Sequence, residues 1–182
     1  MQSSRFSQGT PLRTVVLSIV ISLSALLAIA WPVDAVTMVS DPKGFRNIPW
    51  GAPLVNQQDL TLARAGPHIN EYQLKNGPSQ FAETEVDSIL FSTVNEQFAR
   101  VTIRYRGEKT HKEVLTYLER NFGVQERAPG RTVRGLNQQF NWQGTDTEIN
   151  LTYDAHGERG FIFFNSRSLA PRFNDYMADS AD

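Results

Sequence analysis

Hydrophobic and polar positions alternate on both sides of Asn95-Glu96, and beyond Gly107 the apolar spacing lengthens to that of a helix. A two-residue turn at Asn95-Glu96 pairs Leu90 with Val101, Ser88 with Ile103 and Val86 with Tyr105 on a mostly apolar face. The same register sets Asp87 against Arg104, Glu85 against Arg106 and Phe91 against Arg100 on the other face. Opposite-charge pairs of this kind contribute a few tenths to about 1 kcal/mol each. Next, Thr110 and Glu113 have the spacing of a capping box, Val114, Leu115, Leu118 and Phe122 form an apolar stripe, and Gly123 is placed to end the helix. The stretch from Val86 to Gly123 therefore predicts a hairpin running straight into a helix that lies across the sheet.

The flanks are patterned more briefly. Phe45 to Gly51 reads as a short edge strand, because Pro49 cannot donate to a central ladder. Strands are predicted at Leu60 to Arg64, Ile69 to Lys75, Leu136 to Trp142, Thr147 to Tyr153 and Arg159 to Asn165, the last three separated by turn signals at Gly144-Thr145 and His156-Gly157. Thr147, Ile149, Leu151 and Tyr153 alternate with Glu148, Asn150, Thr152 and Asp154. Phe161 to Phe164 is apolar on both faces, which predicts a strand that is central or covered on both sides. Ser168 can cap a last helix with Leu169, Phe173, Tyr176 and Met177 on one face. The expected fold is α+β: a mainly antiparallel sheet, made of the central hairpin and a C-terminal meander, with one main helix packed on it and a short C-terminal helix.

The first residues change the picture of where this fold resides. Arg5 and Arg13 are followed by a charge-free run from Thr14 to Val33, ending in small residues. That is the outline of a secretory leader, with Val33 and Ala35 placed for cleavage before Val36. An uncleaved anchor is the rival reading, since the apolar run is just long enough to span a bilayer. The expected organisation is a signal peptide over 1–35, a flexible lead-in over 36–43, one domain over 44–178 and a frayed tail over 179–182. The destination is periplasmic or secreted, with no stable membrane span after cleavage. The chain of 182 residues has no cysteine, which excludes disulfides, thiolate metal sites and a cysteine nucleophile. Its formal net charge of −1 supplies no broad positive field for nucleic acid.

Candidate chemistry is sparse. His68, His111 and His156 fall in a loop, a first helical turn and a turn, without metal-motif spacing, and read as surface residues. Glu83, Glu85 and Asp87 alternate on one strand, as do Glu148 and Asp154 on another, which leaves a periplasmic hydrolase using strand carboxylates as the alternative to a binding protein. The sequence has no nucleophile elbow, phosphate loop or dinucleotide fingerprint, and calls for no metal or cofactor. Arg120, Arg127, Arg131 and Arg134 cluster at the end of the main helix and in the loop beyond it. Their guanidinium forks suit carboxylate or phosphate, although Glu119 and Glu126 stand by as local partners. Among the aromatic residues, Trp50 beside two prolines is the expected exposed member.

The run Phe45-Arg46-Asn47-Ile48-Pro49-Trp50-Gly51-Ala52-Pro53-Leu54, with Tyr72, the hairpin and a helix ending in Phe122-Gly123 after it, resembles a group of exported bacterial proteins with a Phe-Arg-Gly-Ile-x-Trp-Gly opening. Asn47 stands where that group usually has Gly. The resemblance implies an exported α+β domain and brings no activity with it. The expectation is a non-enzymatic binding or envelope-associated protein, its partner an envelope component or a small anionic or glycan ligand, held by the arginine cluster with Trp50.

Overall fold

Alternating apolar residues bury one face of a long sheet, and the residues from Glu108 onward bury a helical stripe against that face. The computed structural model of the protein describes residues 36–76, 79–124 and 137–179, which belong to one compact unit. Their strands are β1 (Val36–Thr37), β2 (Gly44–Phe45), β3 (Ile48–Pro49), β4 (Leu60–Arg64), β5 (Ile69–Leu74), β6 (Gln80–Phe81), β7 (Thr84–Glu85), β8 (Ser88–Val94), β9 (Gln97–Arg106), β10 (Asn137–Gln143), β11 (Thr147–Asp154) and β12 (Arg159–Ser166). The helices are α1 (Glu108–Phe122) and α2 (Ala170–Asp179). Among the described residues the main sheet has eight strands in the order β1-β10-β11-β12-β9-β8-β5-β4. The fold is α+β, but the sheet is mixed: β1 runs parallel to β10, and the other pairs are antiparallel.

The turn at Asn95-Glu96 forms, with φ of 46° and 67°, and Val94 opposes Gln97 as expected. Thr93 opposes Phe98 as expected too, and from Ser92 back the expected register is overturned by a bulge. The pairing slips between Ser92 and Thr93, so that Phe91 opposes Val101 and Ile89 opposes Ile103, with Ala99 the extra residue of β9. Ile89, Phe91, Val101 and Ile103 thus share the buried face, in place of Ser88 and Leu90, while Val86, ahead of β8, is buried in the same core. Phe98 and Ala99 are both buried, each in a different cluster, which is how two successive apolar residues absorb the slip. The charges re-pair accordingly: Asp87 meets Arg106 at 3.0 Å rather than Arg104, while Glu85 lies in β7, opposite Gln80.

The expected edge strand at Phe45 to Gly51 is a hairpin, β2 turning into β3 through Arg46 and Asn47 at φ of 50° and 63°. Positive φ at both turn residues is the type I′ geometry, whose twist matches that of the strands, and Asn is among the residues that tolerate it without Gly. The expected capping box at Thr110 does not form. The helix starts three residues earlier, with Gly107 at its N-cap and no side-chain cap. Its C-terminus follows expectation: Gly123 adopts φ of 116° and its N–H bonds to the Glu119 carbonyl. Val114, Leu115, Leu118 and Phe122 are buried, each contributing about 1.5–3 kcal/mol when fully buried.

The lead-in over 36–43 is tied down rather than flexible. Val36 and Thr37 pair with Trp142 and Gln143, Met38 N–H bonds to the Gln143 carbonyl, and Val39 N–H bonds to the Phe122 carbonyl. The Asp41 carboxylate accepts from Asp146 N–H at 2.6 Å and from Lys43 N–H at 3.2 Å. No helix among the described residues is long and apolar enough to cross a membrane.

Candidate functional site

Strand alternation gives the sheet two unlike faces. Toward α1 point Ile149, Leu151, Ile162 and Phe164, which join Val114, Leu118 and Phe122 in the main core. The opposite face is polar. One row across it runs Leu90, Thr102, Phe163, Asn150 and Asn141, and the next runs Ser92, Arg100, Asn165, Glu148 and Gln143. At one end α2 is seated on this face through Leu169 and Phe173, which pack with Val94 and Ala99. The rest of the face is an open groove of about 410 Å³ between α2 and the strands β10 to β12, within the size range of small-ligand sites.

Arg100 forms one wall of the groove. Its Nε donates to Asn165 Oδ1 at 2.6 Å and an Nη to Asn174 Oδ1 at 2.9 Å. The guanidinium lies over Phe173 at 4.1 Å and Phe163 at 5.5 Å from the ring centroids, a cation–π geometry. Burial lowers its pKa from the ordinary arginine value, and the Glu148 carboxylate opposes that shift. Facing this wall, Asn141 Nδ2 donates to Glu148 Oε1 at 2.9 Å and to Asn150 Oδ1 at 2.6 Å. The bridge fixes neighbouring side chains on the groove floor.

Of the residues expected to form a site, only Arg120 and Trp50 fall among those described. Arg127, Arg131 and Arg134 lie outside the described residues. Arg120 is exposed in the last turn of α1, on the far side of the sheet from the groove. Trp50 is not the exposed aromatic residue: its Nε1 donates to Thr147 Oγ1 at 2.8 Å and its ring packs 4.7 Å from Phe98. The β2–β3 hairpin folds it inward, and bonds between Gly51 N–H and the Phe98 carbonyl and between Phe98 N–H and the Ala52 carbonyl hold it there. The strand carboxylates are dispersed. Glu83 and Glu85 sit at the β6–β7 turn, Asp87 pairs with Arg106, and Asp154, six positions beyond Glu148, stands about 20 Å along the same strand. Among the described residues no group of three or more metal-ligating side chains converges.

The histidine expected on the surface of the first helical turn is buried. His111 is 4% exposed and stacks on Tyr153 with centroids 3.9 Å apart. Its Nδ1 lies 2.8 Å from the Tyr105 hydroxyl and its Nε2 3.2 Å from Gln138 Oε1. The hydroxyl donating to Nδ1 and Nε2–H donating to Gln138 satisfies both with one neutral tautomer. Burial, with Tyr153 beside it, raises the Tyr105 pKa. Gly160 makes room for the cluster, since a Cβ there would fall inside the Tyr105 ring. A signal was present in the sequence: positions 111, 114, 115, 118 and 122 share one helical stripe, and His111 lies on it. His68 and His156 are exposed, as expected.

Compared with known proteins, the chain matches no family model, and no curated protein and no solved structure is significantly similar to it.

Proposed function

We propose that this is a non-enzymatic periplasmic binding or envelope-associated protein, of the exported group it resembles, that holds a small anionic or glycan ligand or an envelope component on the open face of its sheet. One observation carries the reading: an open groove with polar side chains set by mutual hydrogen bonds and an arginine held over two aromatic rings. Such walls recognise and orient, whereas glycoside-type hydrolysis needs two carboxylates flanking one bond. Glu148 is the single carboxylate among the described groove-lining residues. Export rests on the leader pattern of residues 1–35. Native mass spectrometry of the protein isolated from its own cell envelope is expected to show a retained ligand or partner, and the double variant Asn150→Ala, Thr152→Ala is expected to lose it. Equal retention by the variant would move the site elsewhere.

A further inference from the structure

Resting on that reading of the groove, we infer that its ligand is a neutral saccharide rather than an anion. Among its described lining residues only Arg100 and Glu148 are charged, and they carry opposite signs. An anion drawn to the guanidinium also meets the field of the Glu148 carboxylate, which stands across β12 from Arg100, so a net negative charge gains little here. Arg104, stacked on Phe161 at 6.0 Å, stands outside the groove lining and does not alter that balance.

What the groove does offer is a dense mixture of donors and acceptors. Asn141 uses its amide to hold Glu148 Oε1 and Asn150 Oδ1, which leaves Glu148 Oε2 as an acceptor and Asn150 Nδ2 as a donor with no partner among the described residues. Two positions farther along the same face of β11, about 7 Å on, the Thr152 hydroxyl can do either. The Gln139 amide, across from Thr152 on β10, adds two N–H donors and a carbonyl acceptor. Each sugar hydroxyl both donates and accepts, and successive hydroxyls along a ring edge need this alternation within a few ångströms. A sugar also has an apolar face of C–H groups, for which the half-buried Phe163 ring is a platform. Because the amide bridge already orders the floor, binding orders few further side chains.

The test is titration of ¹⁵N-labelled protein with neutral disaccharides of the gluco, galacto and N-acetylglucosamine types, and with a glucuronate disaccharide. Neutral sugars are expected to shift the amide signals of Gln139, Asn150, Thr152 and Phe163. Asn150→Ala and Gln139→Ala are each expected to weaken the affinity about tenfold, the loss of roughly one well-placed hydrogen bond. A response to the glucuronate alone overturns the neutral assignment. Silence toward every sugar, with envelope ligand retention still sensitive to Asn150 and Thr152, overturns the saccharide and leaves the groove reading standing. Silence with retention insensitive to those residues overturns both.

Discussion

Gly160 is the smallest residue with the most specific demand on it. It lies between Tyr105 and Tyr153 in adjacent strands, and the Tyr105 ring occupies the space its side chain would take. Gly160→Ala must swing that ring away, breaking its bond to His111. Urea unfolding is expected to show a loss of about 3 kcal/mol, the overpacking and the severed hydrogen bond together. An unchanged midpoint would mean the ring has another place to go. Asp41 makes a different kind of single-residue contribution. Its partial burial alone would raise its pKa, but hydrogen bonds from Asp146, Thr147 and Lys43 outweigh this and the net shift is below the ordinary 3.8. A depressed carboxylate stabilises the fold fully above its unfolded value, and that contribution is lost as pH falls through the lower folded value. Asp41→Asn is therefore expected to lower Tm near neutral pH. In thermal scans the gap to the parent should narrow as pH falls from about 5 to about 2.

At the scale of elements, α1 and α2 are held very differently. The first buries a full stripe in the main core, whereas the second rests on the small cluster of Val94, Ala99, Leu169 and Phe173. Phe173 also carries the Arg100 guanidinium, so it serves both the helix and the groove wall. Phe173→Ala is expected to cost about 3 kcal/mol. Hydrogen exchange should then accelerate throughout α2 while β11 and β12 keep their protection, because α2 opens as a local unit. Uniform acceleration across the sheet would instead make α2 part of the global cooperative core. The hairpin β8–β9 shows how an element can be legible and its register not. Its turn, strands and alternation were plain in the sequence, yet both Phe98 and Ala99 find apolar cover, one in the main core and one beneath α2. A slip of one residue costs nothing visible in the pattern when both faces are covered at that point.

For the whole molecule, what could be read from the sequence was what neighbouring residues decide: the strands from Thr147 and Arg159, the α1 stripe, the stop at Gly123. What could not be read was which strands lie side by side. The groove draws Arg100 from β9, Asn141 from β10, Glu148 and Asn150 from β11 and Phe163 from β12, and no local spacing announces that β12 pairs with β9. The arginine cluster, by contrast, was conspicuous because its members are close in sequence, and its one described member, Arg120, points away from the groove.

That β9–β12 pairing also sets the order in which the groove comes into being. Most other ladders join strands close in sequence, but this one brings Arg100 beside Asn165, 65 positions later, and α1 must already span the gap. Closing so long a loop is entropically steeper than closing a hairpin, by about 0.6 kcal/mol for each doubling of length, and non-local pairings of this kind are made late. The two walls of the groove stand on opposite sides of that seam. Nascent chains thus pass through stages in which each half of the sheet can be sound while the groove does not yet exist. A ligand bound across the seam would act as a staple on a late-closing joint.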